Sequence, residues 1–342
     1  MSLYTIGVEL TNACNLKCLH CMRDFSSPKH NFSLDLLDRI CKEAKAFGVK
    51  EISFTGGEPL LYPRFAEAVD LVIRHGYTFS FITNSALFPG KSLLFSKGTR
   101  KKALNRVCLS LDGATEKIHD FNRGAGSYRQ VMEAIAQCHA LCLPMALQIS
   151  MGTFNRHEIE AMALLSSQVQ ATDLYYAHIM PTRKNMEKEL LLSPEESLKA
   201  EDEVKRLQEA MKIPIFLAVG NHNPSPFYQC VALTMQRLNI DYLGRLTLCC
   251  QVSNYQGCKA KDGLPDVIAD LHTTSLADAL HGLVKLIGEI QQSRLKKISW
   301  GQLALRDHFP CFSCALTLGK LGFLKSFPDN PWAKTAACTA KD

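Results

Sequence analysis

Cys14-Asn15-Leu16-Lys17-Cys18-Leu19-His20-Cys21 decides the reading of this chain: three thiols stand within one short stretch, with three and then two residues between them. The residues before it, Tyr4 to Leu10, are β-branched and apolar and read as a strand, with Thr11-Asn12 as its stop. The thiols therefore sit on a loop after a first strand. Thiolates are the usual ligands of iron–sulfur clusters. A four-iron cluster held by three of them leaves one iron open, and an open iron can take a small chelating molecule and pass it an electron. The competing reading is a zinc loop, which is disfavoured because its paired Cys-x-x-Cys halves are not what this loop supplies.

Composition agrees with metal or redox chemistry. The 342 residues include 14 cysteines, yet the N-terminus lacks a basic region followed by an apolar core. A cysteine-rich chain without an export signal points to bound metal in a reducing compartment, here the cytoplasm, and away from disulfides. No apolar run reaches membrane-spanning length. A hydrophobic content of 46% suffices for a large core, and a net charge of +6 is only mildly basic. No dense basic run carries interleaved aromatics, so neither nucleic acid nor membrane is an expected partner.

Strand and helix patterns then alternate. Strands are expected at 49–54, 78–82, 106–111, 145–152 and 173–179, and helices at 34–48, 64–75, 126–142 and 156–169. Ser33 reads as the cap of the first helix. This beat implies an α/β fold with a parallel sheet and right-handed crossovers. Six such units fit a partial (β/α)6 barrel better than a closed eight-fold one. The expected division is a barrel over 1–182, a helical bridge over 183–228 with an exposed helix at 193–212, a small α+β cysteine-rich module over 229–320, and a tail from 321. In that module a hairpin is expected from two strands, 235–242 and 245–250, followed by a helix at 276–297.

The end of the second strand carries Gly56-Gly57-Glu58-Pro59. In parallel α/β sheets that end is where ligands bind. Glycines allow close approach of backbone to a ligand, and a carboxylate there can receive an ammonium group. The three-cysteine loop followed at this distance by Gly-Gly-Glu-Pro resembles the radical S-adenosylmethionine (SAM) superfamily, with His20 in the slot where that family carries an aromatic-type residue. The resemblance implies a [4Fe-4S] cluster on Cys14, Cys18 and Cys21. It also implies SAM held by Gly56, Gly57, Glu58 and Pro59 through its amino group. Ser110-Leu111-Asp112-Gly113 and Asn122-Arg123-Gly124 resemble further parts of the cofactor shell, implying contacts from Ser110 and Arg123 to the ribose or the methionine carboxylate, with Asp112 in the same shell. Arg suits a carboxylate through its bidentate geometry. The bland alternative makes Ser110 a strand end and Arg123 a surface residue entering the next helix. Thr83-Asn84 stands where the family often has Thr-Asn-Gly, with Ser85 in place of the glycine.

Cys230, Gly244, Cys249 and Cys311-x-x-Cys314 resemble the opening of the family's SPASM/twitch module. The resemblance implies a second [4Fe-4S] cluster on Cys230, Cys249, Cys311 and Cys314, closed by four thiolates and suited to electron transfer. The later cysteines of a full SPASM pattern are missing, since only Cys338 follows. Cys250 or Cys258 could replace Cys249, and a zinc site from Cys249, Cys258, Cys311 and Cys314 is the alternative. Cys41, Cys108, Cys138 and Cys142 read as core.

The family chemistry implies reductive cleavage of SAM to a 5′-deoxyadenosyl radical that abstracts a substrate hydrogen. An electron donor such as flavodoxin or ferredoxin would supply the electron. With a second cluster as acceptor, the expected outcome is two-electron oxidation of a small metabolite. The alternative is a peptide- or protein-modifying maturase, by crosslinking or epimerisation, disfavoured because the first cluster cysteine comes as early as residue 14. A non-enzymatic iron–sulfur or zinc protein is the distant third. Catalytic candidates are His178, near the end of the sixth strand, and the thiols of Cys250 and Cys258.

Overall fold

A computed structural model of the chain describes residues 3–23, 27–218, 220–225, 227, 230–253 and 266–334. Cys258 and Cys338 lie outside the described residues. The strands are β1 (Thr5–Thr11), β2 (Glu51–Gly56), β3 (Thr78–Thr83), β4 (Leu104–Ser110), β5 (Met145–Met151), β6 (Asp173–His178), β7 (Ile215–Leu217), β8 (Arg237–Ile240), β9 (Arg245–Thr247) and β10 (Val267–Asp270). They form one sheet in the order β10-β9-β8-β1-β2-β3-β4-β5-β6-β7. From β1 to β7 every neighbour is parallel, and helices cross between them, giving the expected partial barrel.

Alternation along the strands gives the sheet two unlike faces. Ile6, Val8 and Leu10 of β1 are fully buried in the core. Phe81 of β3 stacks on Phe95 at 5.2 Å between ring centroids and meets Phe65 of the helix Phe65–Arg74 edge-on at 5.5 Å. The opposite face is polar. Ser80 donates to Ser53 at 3.2 Å, and Asn239 of β8 donates to Glu9 of β1 at 3.3 Å. A sheet covered by helices on one face keeps the other for a chamber that polar side chains can line. Ser33 caps the helix Leu34–Ala44 as expected, accepting from the Leu36 amide.

The structure differs from the expected division in two places. The bridge region is not only helical: β7 follows the capped helix Pro194–Ala210 and adds a seventh parallel strand beside β6. Three residues are too few to show a period in sequence. On the other side, β8 pairs in parallel with β1, and β9 runs antiparallel to both β8 and β10. The cysteine-rich hairpin thus continues the barrel sheet. Among the described residues no helix is long and apolar enough to cross a membrane.

Candidate active site

The three-thiol loop is latched at its base. Thr11 Oγ1 donates to the His30 carbonyl at 2.8 Å, Asn12 Nδ2 donates to the Pro28 carbonyl at 2.8 Å, and the His30 amide returns a bond to Asn12 Oδ1 at 2.8 Å. Residues that read in sequence as a strand stop therefore close the loop. Its far side is held by Asn122, whose carbonyl accepts from the Leu19 amide at 2.8 Å and whose Oδ1 accepts from the His20 amide at 3.2 Å. Asn185 Nδ2 donates to the His20 carbonyl and Lys184 Nζ to that of Cys18. Cys18 is buried and Cys14 and Cys21 are half-buried. Burial pushes the Cys14 thiol up to about 11, and the nearby Glu58, Cys18 and Cys21 charges add to the effect.

The Gly-Gly-Glu turn is zipped to the strand end that feeds this loop. The Gly57 amide donates to the Thr11 carbonyl at 2.7 Å and the Glu58 amide to that of Ala13 at 2.8 Å. A Cβ on Gly57 would stand 2.1 Å from the Ala13 oxygen. The glycines are thus required by the close approach of two backbones, whereas the sequence pointed to a ligand. The Glu58 carboxylate is almost fully buried and joins two strand ends. Its Oε1 accepts from Thr83 Oγ1 at 2.8 Å and from the Leu60 amide at 3.1 Å, and its Oε2 from the Asn84 amide at 2.8 Å. Desolvation pushes Glu58 up to about 7 despite those bonds. Asn84 Nδ2 reaches back to Asn15 Oδ1 at 2.8 Å and lies 3.7 Å from Cys14 Sγ.

Asn122 and Arg123 precede the helix Ser127–Ala140 as expected, and they also end a short helix of their own, Glu116–Arg123. Arg123 Nε donates to Asp112 Oδ2 at 2.5 Å, and Asn122 Nδ2 donates to the same oxygen at 2.7 Å. The Ser150 amide donates to Asp112 Oδ1 at 2.9 Å. Burial alone would raise the Asp112 carboxyl, but Arg123 and His20 beside it hold it well below the usual carboxylate range. Asp112 therefore acts on Arg123, and the guanidinium in turn faces Cys18 and Cys21. Ser110, at the end of β4, is buried at the same edge of the sheet.

The far cysteines come together as well. Cys249 and Cys250 follow β9, and Cys311 and Cys314 lie one turn apart on the helix Pro310–Thr317. Burial and then the charges of Cys250, Cys314 and Cys230 raise the Cys249 thiol far above its ordinary value. Cys311 is raised by burial and then by Cys249, Cys230, Cys314 and Cys250. Cys314 is pushed up to about 12 by burial and then by Cys230. The four expected ligands are thus close enough to feel one another's charges, and Cys250 is among the thiols that act on Cys249 and Cys311.

The sequence profile of the radical SAM superfamily matches residues 8–165. Residues 8–165 form a radical SAM domain. It is 33% identical over 171 residues to the mycofactocin maturase MftC of Mycobacterium tuberculosis, an alignment covering 48% of this chain and 42% of that protein. It is 27% identical over 263 residues to the GTP 3′,8-cyclase of Peptoclostridium acidaminophilum, covering 71% and 79% of the two chains. The chain therefore spans less than half the length of the mycobacterial maturase. Among solved structures, Streptococcus suis SuiB bound to its precursor peptide SuiA superposes with a TM-score of 0.64 at 15% identity, over 81% of this chain and 64% of that one. At that identity the likeness shows the fold.

A radical SAM enzyme uses a [4Fe-4S] cluster and SAM, and the residues present fit them. Three thiols on one loop that oppose one another's ionisation call for a cation among them, and iron supplies it. The zinc alternative at the second site includes Cys258 and lies outside the described residues. His178, at the end of β6, has its Nε2 2.7 Å from Oε1 of the fully buried Glu201. His178 also lines a cavity with Met180, Gln251, Phe309, Cys311 and Trp332. Sequence reasoning missed Asn122, Asn185 and Glu201 as positioning residues. Their bonds to the thiol loop and to His178 span 23 to 165 positions, and no local pattern announces such pairs.

Proposed function

We propose that this radical SAM enzyme oxidises its substrate by two electrons at the C-terminal edge of the sheet, with a second [4Fe-4S] cluster receiving the electron left on the substrate. The observation that carries this reading is the gathering of Cys230, Cys249, Cys311 and Cys314, the first three half-buried and the last buried, beside the sheet that carries the first thiol loop. Cys14, Cys18 and Cys21 would hold the first cluster, and Gly56, Gly57, Glu58, Pro59, Asn84, Ser110 and Arg123 would form the SAM shell. When bound, cluster and SAM supply a 5′-deoxyadenosyl radical that takes a hydrogen atom from the substrate.

The chain's own residues orient and exclude water. Arg123, held through Nε by Asp112, presents a guanidinium suited to a carboxylate. Asp112 is then a positioning residue and not a cofactor contact. Glu58 suits an ammonium group, whose arrival would favour its ionised form. His178 is the candidate proton acceptor, its ring orientation set by Glu201. A flavodoxin- or ferredoxin-type donor in the cytoplasm would deliver the first electron.

Peptide modification is the second reading. It is favoured by the likeness to a mycofactocin maturase and to a fold that binds a precursor peptide. A small metabolite is the first, in keeping with the polar chamber face of the sheet.

Anaerobic reconstitution tests the common core of both. About eight irons per chain and reductant-dependent 5′-deoxyadenosine are expected, and replacing Cys14, Cys18 and Cys21 together by Ala leaves about four irons and no 5′-deoxyadenosine. Intact clusters without SAM cleavage would sink the radical reading.

A further inference from the structure

Arg23 stands two residues beyond the third cysteine of the first loop. Its Nη1 pairs with Glu9 Oε1 at 2.9 Å and donates to the Ser253 carbonyl at 2.7 Å. Glu9 belongs to β1 and is almost fully buried, and its Oε1 also accepts from Asn239 Nδ2 of β8 at 3.3 Å. Asn239 Nδ2 donates in turn to Thr247 Oγ1 of β9 at 2.8 Å. One guanidinium therefore joins the first cysteine loop to the segment that follows Cys249 and Cys250. It is anchored on a polar ladder across three adjacent strands. After Glu9, the groups whose charge the guanidinium feels most are Cys250, beside the second cysteine set, and Cys21 of the first loop.

A seam between two parts of a fold needs no buried ion pair. Taking two charges out of water is costly, and apolar residues of similar volume are often as stable. The position of the charge suggests another use. Thiolate-bound iron clusters are anionic, and each becomes more so on reduction. A fixed cation between two such groups favours the reduced form of both and screens each from the other. The Glu9 carboxylate holds the guanidinium there from the strand side.

We propose that Arg23 is a positioning residue whose charge acts on both cysteine-held clusters, raising the potential at which each takes an electron. This rests on the two-cluster reading above. The Glu9–Arg23 pair gives it a signature that a structural role lacks. Removing the cation lowers both potentials, whereas removing only its counter-ion raises them.

The test is an EPR-monitored redox titration of the full, anaerobically reconstituted chain as wild type, Arg23→Gln, Arg23→Lys and Glu9→Gln, with iron counted in each. In Arg23→Gln the oxidised-to-reduced ratio of both clusters, read at the wild-type midpoint, rises about tenfold, a fall of about 59 mV for one electron. Arg23→Lys stays near wild type, and Glu9→Gln shifts both signals the opposite way. Shifts of the same sign in Arg23→Gln and Glu9→Gln, or potentials unmoved at full iron content, overturn the proposal. Where Arg23→Gln loses iron, Glu9→Gln decides, and unmoved potentials there overturn the proposal. Four irons in the wild type would remove the two-cluster reading itself. Eight irons with unmoved potentials would sink only the role of Arg23.

Discussion

Arg123 Nε lies 2.5 Å from Asp112 Oδ2, and both side chains are buried beside the thiol loop. The pair holds a cation next to Cys18 and Cys21 without leaving it uncompensated. Asp112→Ala leaves a buried guanidinium alone and is expected to cost roughly 3 to 5 kcal/mol in chemical denaturation. Joint replacement by Asp112→Leu and Arg123→Met recovers much of that loss, because no isolated charge remains. The sign of the pH dependence follows from the lowered carboxyl. The unfolded Asp titrates near about 3.9. The stabilisation is thus complete above that value and is lost as pH falls through the lower folded one.

Glu58 behaves in the opposite sense. Burial raises it to about 7 in the folded chain, against roughly 4.3 when unfolded. The folded state therefore binds the extra proton between those values, and stability falls as pH rises across that window. Above the window the deficit stays constant. Denaturation curves collected from pH 4 to 8 should show this slope in the cluster-free chain, and Glu58→Gln should remove that share of it whatever its constant offset. An unchanged slope in Glu58→Gln would place the titration elsewhere.

The parts of this site legible in sequence are those that depend on local spacing. The strand–loop–thiol order of residues 4–21, the Gly-Gly-Glu turn and the far cysteines all read directly. The helix Glu116–Arg123 did not, because its amphipathic signal is inverted. It buries His119, Asn122 and Arg123 against the polar site and exposes Phe121. A rule that puts apolar residues inside cannot find such a helix. Glu9 posed the same difficulty within an apolar strand. Its partners, Arg23 and Asn239, lie across the cysteine loop and 230 residues away. Pairings of that range are set by the topology that places β8 against β1.

Ser85 follows Asn84 with φ 74°, in the left-handed region, and its hydroxyl is buried without a hydrogen-bond partner among the described residues. Both features oppose a serine here. Ser85→Gly removes them together and is expected to stabilise the chain by about 1 kcal/mol, seen as a small rise in Tm. Ser85→Ala removes only the hydroxyl and gains less. The Glu58 and Asn84 bonds stay in place, so 5′-deoxyadenosine formation by the reconstituted protein should be retained in Ser85→Gly.

Cys249 and Cys250 are neighbours in sequence with different surroundings. Cys249 feels Cys250 first and then Cys314 and Cys230, and Cys311 feels Cys249 before any other thiol. Cys250 is, ahead of Cys21, the thiol whose charge Arg23 feels most. If the four gathered thiols hold the second cluster, Cys249→Ala drops the iron content from about eight to about four per chain, while Cys250→Ala keeps about eight. The first cluster is untouched in both, so its EPR signal after reduction serves as the internal standard. Cys250→Ala in turn removes one of the two thiols whose charge Arg23 feels and leaves the guanidinium bound to Glu9. Equal iron loss in the two variants would show that the ligand set includes both thiols. Loss in Cys250→Ala alone would move the fourth ligand from Cys249 to its neighbour.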